Sequence, residues 1–319
     1  MSRAWMGERE RGAAPLVRFM RWMALRGGRR RARGLLYPIT LYFLLAASGP
    51  RRASRAYLGR VFGRPARLVE IARHIHCFSA TILDRVYFLS GRAEALEIQW
   101  HGVEHLEALR ERGQGALLIG AHLGSFEALR APGVRWGQVR VLMYPQHNRV
   151  VSELLDALNP EVAASVIPLG GFDSLLRVRE TVDEGGFVGI LGDRVAQSDK
   201  QLPVRFLGGE AVFPAGPMIL AATLGVPAYL VFGLYRGGAR YDLIVEPFTD
   251  GTCVPRAGRE HWVREQLAQY VARLEHHVRA APYNWFNFYD FWNDFTKGRP
   301  VRGRIDGAAE HVGVGRDTG

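Results

Sequence analysis

A histidine and a glutamate five residues apart, His122 and Glu127, are the residues of this sequence best suited to acid–base chemistry. A carboxylate that holds one imidazole nitrogen orients the ring and stabilises its protonated form, so that the other nitrogen can take a proton from a hydroxyl. The chain contains no Gly-x-Ser-x-Gly sequence, and no cysteine lies near the pair. These features favour direct attack by an acceptor hydroxyl on an activated acyl group, with Ser125 as the alternative nucleophile.

The residues around the pair predict its place in the fold. The apolar run 116–120 predicts a buried strand, residues 125–129 predict the start of a helix, and glycines flank the histidine at Gly120 and Gly124. Open α/β sheets bind their ligands at the carboxyl ends of strands. We therefore expect His122 at such an end, although this spacing alone is common by chance in a chain with ten histidines.

Short apolar runs alternate with helical stretches from residue 115 onward, after an amphipathic helix predicted over residues 66–90. This alternation predicts an α/β fold with a mixed, largely parallel central sheet and helices on both faces. His74, His76 and Cys77 fit scattered polar positions on the first helix, and no metal site is predicted. Further strands are predicted at 139–144, 164–169, 187–191, 227–235 and 241–248, and further helices at 148–158, 172–184, 218–225 and 259–280.

The basic charge of the chain is concentrated at one end. The formal net charge is +11, and residues 1–70 contain sixteen arginines and three acidic residues. Large apolar side chains are interleaved with these arginines, which weighs against nucleic-acid binding and favours a membrane surface. We predict a basic membrane-anchoring segment over 1–60, a catalytic domain over 61–298 and a disordered Gly-rich tail over 299–319.

The apolar stretch 35–48 would extend about 21 Å as a helix, which is shorter than the hydrocarbon core of about 30 Å. A helical anchor lying in the membrane interface is the favoured interpretation. A single membrane-spanning insertion, a cleaved signal peptide and a helix buried in the domain are alternatives.

Several motifs together resemble a known family. The sequence HLGSFE at 122–127, directly after an apolar strand, is similar to the His-x4-Asp/Glu motif of the lysophospholipid acyltransferase superfamily. It more closely resembles the lauroyl/myristoyl acyltransferase family of lipid A biosynthesis. The stretches YPQHN (144–148), GDR (192–194) and 202–227 match that family in order, and the resemblance covers roughly residues 15–295.

This resemblance implies transfer of a fatty acyl group from an acyl thioester to a hydroxyl of a lipid or glycolipid, at the cytoplasmic face of the bacterial inner membrane. Acyl-carrier protein or coenzyme A would carry the acyl group as co-substrate, and no other cofactor or metal is implied. His122 would be the general base and Glu127 its orienting partner. Asp193, Arg194 and Asn148 would border the substrates.

The tetrahedral oxyanion of such a reaction needs hydrogen-bond donors. Backbone N–H groups near Gly124 and Ser125, or the side chain of Arg194, are the candidates. Two other functions stay open on the same residues: a thioesterase or lipid hydrolase in which water replaces the acceptor, and a non-catalytic peripheral lipid-binding protein.

Three departures from the family pattern bear on the acceptor. Pro145 stands where lipid A enzymes tend to have an arginine, and the segment 282–295 is aromatic and acidic where the family is usually basic. Both changes remove cations that could meet sugar phosphates, which weighs against lipid A as acceptor. The sequence FPAG (213–216) lacks the Glu and Arg of the FPEG-Thr-Arg motif, which weighs against glycerol 3-phosphate. The aromatic run 283–295 could line an acyl groove, lie at the bilayer boundary or pack on the core.

Overall fold

A mixed sheet with helices on both faces carries the predicted site. The structure, a computed structural model, describes residues 22–130, 139–143, 164–170, 172–195 and 200–292. Its strands are β1 (Glu97–His101), β2 (Ala116–Gly120), β3 (Val139–Met143), β4 (Val166–Pro168), β5 (Phe187–Leu191), β6 (Gln201–Phe206), β7 (Gly209–Pro214), β8 (Pro227–Gly237) and β9 (Arg240–Asp250).

The strand order of the main sheet is β1-β9-β8-β2-β5-β3-β4, while β6 and β7 form a separate antiparallel hairpin. Strands β8, β2, β5, β3 and β4 run in one direction. Strands β9 and β1 run the opposite way, because β9 returns antiparallel to β8 and pairs in parallel with β1. The prediction of a mixed, largely parallel sheet is confirmed.

The helices cover both faces of this sheet. They are α1 (Arg29–Gly34), α2 (Leu36–Ala46), α3 (Ser48–Phe62), α4 (Leu68–Leu89), α5 (Glu104–Glu111), α6 (Phe172–Asp183), α7 (Gly216–Leu224) and α8 (Arg259–Ala280). Shorter turns of helix occur at Met23–Gly27, Ala93–Ala95 and Phe126–Arg130.

Strand β2 lies in the middle of the sheet, and all five of its residues are buried. Leu117 and Ile119 pack in the core on one face, while Ala116 and Leu118 pack in the core on the other. A strand covered by helices on both faces must be apolar at every position, which explains its unbroken apolar sequence. The turn that follows β2 therefore begins from a strand that is packed on both of its faces.

The structure differs from the predicted elements in places where local signals are weak. The short strand β1 alternates between exposed and half-buried positions at the sheet edge, and it was not predicted. The β6–β7 hairpin was also missed, since its turn places Leu207 at a positive φ of 47° instead of using the usual Asn-Gly pair. The helix predicted over 125–129 is a short 3₁₀ helix, Phe126–Arg130. The helix predicted over 148–158 lies outside the described residues.

The described part of the basic N-terminal segment packs against the domain. Ala32 and Leu36 are buried in one core cluster, and Tyr57 and Leu58 are buried in the other. Arg29 forms two hydrogen bonds with the fully buried carboxylate of Asp84 on α4, at 2.7 and 2.8 Å. The predicted boundary at residue 60 thus falls inside α3, and the tail 299–319 lies outside the described residues.

Helix α2 nevertheless presents a large apolar surface to solvent. No described helix is long and apolar enough to cross a bilayer. The exposed face of α2 carries five large apolar side chains that are each 41–70% accessible: Tyr37, Leu41, Tyr42, Phe43 and Leu45. We call this set the α2 apolar face.

Candidate active site

The turn after β2 places His122 at the carboxyl end of the parallel strands, as predicted. Two glycines let this turn come very close to β8. Gly124 has a φ of +70°, and a Cβ at this position would overlap the carbonyl oxygen of Gly233. The Ser125 N–H donates to that same Gly233 carbonyl at 2.8 Å. The position of His122 is thus fixed by backbone contacts on both sides of the turn.

The His122 ring is held by Asp193, which follows β5. Nδ1 of His122 lies 2.8 Å from Oδ1 of Asp193, and the His122 backbone N–H donates to the same oxygen at 3.0 Å. Strands β2 and β5 are parallel neighbours, with Gly120 opposite Leu191, so the residues after both strands meet at one edge. An ionised carboxylate only accepts, so Nδ1 carries the ring proton and Nε2 is left as the basic nitrogen.

Asp193 is completely buried, and its second oxygen is also hydrogen-bonded. Oδ2 accepts the indole N–H of Trp285 at 2.9 Å and the side-chain amide of Asn287 at 3.4 Å. Burial alone would raise the pKa of Asp193, but the charge and hydrogen bonds of His122, together with Arg194, hold that pKa to about 2. Asp193 is therefore a carboxylate at neutral pH.

The pKa of His122 lies below its ordinary value. Burial is the largest cause, and the positive charge of Arg194 acts in the same direction, whereas Asp193 raises the pKa. The imidazole is therefore neutral at physiological pH. A neutral ring whose Nδ1 is occupied by a carboxylate has the protonation state of a general base.

Glu127 does not contact the ring in this structure, which differs from the orienting role predicted for it. Its carboxylate instead pairs with the guanidinium of Arg85 on α4. It also accepts the hydroxyl hydrogen bond of Ser125 at 3.1 Å. The reason is geometric: the 3₁₀ turn Phe126–Arg130 directs Glu127 toward α4, while the end of β5 brings Asp193 to His122. Burial would raise the pKa of Glu127, but Arg85 and Ser125 lower it below its ordinary value.

The segment after α8 forms the back of the site. Its backbone pairs with the His122 turn: the Phe286 N–H donates to the His122 carbonyl, and the Gly124 N–H donates to the Asn284 carbonyl, both at 2.8 Å. The Asn284 side chain bonds both the N–H and the C=O of Tyr235 on β8. We call residues 282–292 the aromatic segment. Some of its side chains pack in the core, and others line the cavity described below.

Arg194 is also held by this segment. Its Nε donates to the Asn287 side chain at 2.9 Å, and its Nη2 donates to the Phe286 carbonyl at 2.7 Å. The Gly124 and Ser125 N–H groups, considered above as oxyanion donors, already donate to the Asn284 and Gly233 carbonyls. Of the predicted oxyanion donors, this leaves the guanidinium of Arg194.

A cavity of about 790 Å³ opens in front of His122. Besides His122, its charged and polar lining side chains include Arg52, Arg85, Ser125, Glu127, Arg194 and Asp290. Its apolar lining comes from α3 and α4, the end of β5, the His122 turn and the aromatic segment. The apolar side chains are Pro50, Ala53, Ala56, Phe78, Ile82, Ala121, Phe126, Leu191, Phe286 and Phe288. A pocket of this size, lined by both apolar and charged side chains, suits a ligand that has an apolar part and a polar part.

The structure therefore brings together most of the predicted site residues. His122, Gly124, Ser125, Glu127 and Arg194 line the cavity, and Asp193 lies directly behind His122. Asn148 lies outside the described residues.

Sequence reasoning missed Arg85, Asn284, Trp285 and Asn287 as parts of the site. The run of aromatic and Asn residues at 282–292 was the one available signal for the last three, and nothing local marks Arg85.

The comparisons with known proteins fit this geometry. A model of the family described as "Bacterial lipid A biosynthesis acyltransferase" matches residues 33–294. The chain belongs to this family. It is accordingly an acyltransferase of lipid biosynthesis, with a lipid acceptor and an acyl donor as substrates.

A search of curated proteins finds no significant match. Among solved structures, the chain is similar to the 1-acyl-sn-glycerophosphate acyltransferase PlsC of Thermotoga maritima. The identity is 16%, the match covers 77% of this chain and 98% of that chain, and the TM-score is 0.37.

Proposed function

We propose that this acyltransferase moves a fatty acyl group from an acyl thioester to a hydroxyl of a lipid or glycolipid, with His122 as general base and Asp193 as the residue that orients it. The contact of 2.8 Å between His122 Nδ1 and Asp193 Oδ1, at the rim of a largely apolar cavity, carries this proposal. Acyl-carrier protein or coenzyme A would supply the thioester. Each step below uses only groups of the chain or of the two substrates.

The reaction begins with the acceptor hydroxyl near Nε2 of His122. Nε2 takes the hydroxyl proton as the oxygen attacks the thioester carbonyl carbon, and Asp193 stabilises the imidazolium that forms. The tetrahedral intermediate then collapses, the C–S bond breaks, and the imidazolium returns its proton to the leaving sulfur. The products are an ester and a free thiol, and His122 is again neutral.

The oxyanion of the intermediate needs a positive partner. Arg194 lines the cavity, and its charge is close enough to His122 to lower the pKa of the ring. Asn287 and the Phe286 carbonyl hold two of its nitrogens, so the guanidinium is oriented before substrate binds. A preoriented cation at developing negative charge is the usual form of oxyanion stabilisation.

The α2 apolar face would place the enzyme on the cytoplasmic surface of the bacterial inner membrane. Its tyrosines suit the headgroup region, and its leucines and phenylalanine suit the acyl boundary. Ile82 of α4 is 42% exposed and also lines the cavity, so an apolar side chain lies where the cavity meets solvent. A lipid acceptor could then reach His122 without leaving the interface.

The activity is tested with purified protein, a saturated acyl thioester of acyl-carrier protein or coenzyme A, and a total bacterial lipid extract. Mass spectrometry should show a lipid heavier by one acyl group, with one thiol released per acyl group transferred. His122→Ala should lower the rate by at least two orders of magnitude. Free fatty acid formed at full rate without added lipid would instead identify a hydrolase.

Membrane association is tested separately by sedimentation with vesicles of phosphatidylethanolamine and phosphatidylglycerol. Replacing Leu41 and Leu45 together by Ser should lower the bound fraction several-fold. Leu176→Ser on α6 is the matched control, since Leu176 is a 45% exposed leucine outside the α2 apolar face. Equal binding of both variants would contradict the assignment of this face.

A further inference from the structure

A second histidine, His74 on α4, is completely buried behind the site. Its Nε2 lies 2.9 Å from the carbonyl oxygen of Trp285, and its Nδ1 lies 2.8 Å from the hydroxyl oxygen of Ser54 on α3. A carbonyl can only accept, so Nε2 carries the proton and the Ser54 hydroxyl donates to Nδ1. Both nitrogens of a neutral ring are thus satisfied in a single tautomer.

Aromatic rings surround His74. Phe288 stacks on it with ring centroids 4.6 Å apart, and the ring of Tyr57 lies at 5.3 Å. The Tyr57 hydroxyl donates to the Pro282 carbonyl at 2.7 Å, which is a second link between α3 and the aromatic segment. None of these neighbours carries a charge at neutral pH, and burial lowers the pKa of His74 to about 4.

A continuous series of contacts runs from His74 to the catalytic base. His74 holds the backbone of Trp285, and the indole N–H of Trp285 donates to Asp193 at 2.9 Å. Asp193 in turn holds Nδ1 of His122. Two residues therefore separate His74 from the base, and each link is a hydrogen bond of ordinary length.

We propose that His74 is a positioning residue for acyl transfer, which acts by fixing Trp285 so that its indole holds Asp193 against His122. The proposal rests on the base assigned to His122 under the proposed function. It gives the Trp285 carbonyl a defined role, since movement of this segment would displace both the indole and the Phe286 N–H that binds the His122 carbonyl. Outer partners of metal-binding histidines are worth about ten- to a hundredfold in affinity or activity, and we expect a loss near the lower end of that range here.

A purely structural role for His74 is the competing explanation, and two substitutions separate the two. His74→Phe keeps the ring stacking and the volume but removes both hydrogen bonds. His74→Gln keeps an amide N–H near the place of Nε2, so it can still donate to Trp285. His277→Phe is the matched control, because His277 is also buried and pairs with Glu246 on β9, away from Asp193.

The first measurement does not depend on turnover. Nitrogen-15 NMR of histidine-labelled protein, titrated with pH, reports the tautomer of His74 and the pKa of His122. The charged groups acting on His122 are Asp193, which raises its pKa, and Arg194 and Arg85, which lower it. His74→Phe should loosen Asp193, so the His122 pKa should fall and the Trp285 indole signal should shift. His74→Gln should largely restore both, and His277→Phe should leave both unchanged.

The second measurement is turnover in the thioester and lipid-extract assay. His74→Phe should lower kcat by about tenfold or more with little change in KM, and His74→Gln should recover most of it. Loss of thermal stability in His74→Phe with an unchanged His122 pKa and unchanged kcat would overturn the proposal. If the wild-type protein forms no acylated lipid, the proposed function fails, while the NMR titration still decides whether His74 positions Asp193.

Discussion

Replacing Asp193 by Asn is the substitution that most directly tests the assigned base. The change keeps the size of the side chain but removes its charge, and it turns one of its two oxygens into a donor. In the native protein each oxygen faces N–H donors: Oδ1 faces the backbone and ring of His122, and Oδ2 faces Trp285 and Asn287. An Asn amide must therefore place its NH₂ against donors on one side.

The magnitude follows from the geometry. With Nδ1 and Oδ1 at 2.8 Å, the carboxylate charge lies about 4 Å from the centre of the imidazolium. At an effective dielectric constant of about 20, this interaction is worth about 4 kcal/mol, and its loss should slow turnover by about three orders of magnitude. If the Asn NH₂ turns toward His122, the ring is forced into the tautomer with its proton on Nε2 and loses its basic nitrogen.

The assay is the initial rate of acyl transfer from the thioester to the lipid extract, followed by mass spectrometry across the pH range. Glu127→Gln is the informative comparison, because it would remove the charge of the ring partner predicted from sequence. As the pH falls, we expect the rate of that variant to decrease over nearly the same pH range as the rate of the wild-type protein, since His122 keeps its contact with Asp193. Turnover by the Asp193→Asn protein above about a tenth of the wild-type rate would refute Asp193 as the orienting residue.

Three further predictions concern charge. Arg194→Gln removes a cation that lowers the pKa of His122, so the acid limb of kcat/KM should move to higher pH; a shift to lower pH would contradict this. Arg85→Gln and Glu127→Gln should each lower the unfolding free energy by about 2 kcal/mol in urea titrations. The double variant should lower the unfolding free energy by less than the sum of the two single variants, because neither partner is left unpaired. Burial lowers the pKa of His74 to about 4 in the folded protein, against about 6.5 in the unfolded chain, so a contribution of about 3 kcal/mol is present above pH 6.5 and is lost as the pH falls toward 4. In urea titrations over that range, the unfolding free energy of the wild-type protein should fall by about 3 kcal/mol more than that of His74→Phe.

The sequence by itself determined the central features of the fold. The apolar run at β2, the amphipathic pattern of α4 and the regular alternation of strands and helices predicted a largely parallel sheet. These signals are strong because each strand and helix must bury apolar residues at its own period. The same run placed His122 at the carboxyl end of a strand, and family membership followed from the order of several motifs.

Only the tertiary structure decided which acid contacts His122. Glu127 is near His122 in sequence, yet the 3₁₀ turn directs it to Arg85. Asp193 is 71 residues away, but parallel pairing of β2 with β5 brings it into contact. Sequence distance cannot report such a contact, because strand order is fixed by the packing of the whole sheet.

The same holds for the aromatic segment and for His74. The composition of the aromatic segment suggested packing or an acyl groove, and His74 was interpreted as a polar position on a helix. Their hydrogen bonds to Asp193 and Trp285 arise from the meeting of α3, α4 and the residues after α8. Nothing in the sequence around a histidine on an amphipathic helix indicates which backbone groups it will bind. Its partners become defined only when burial removes water and requires each polar group to find a protein partner.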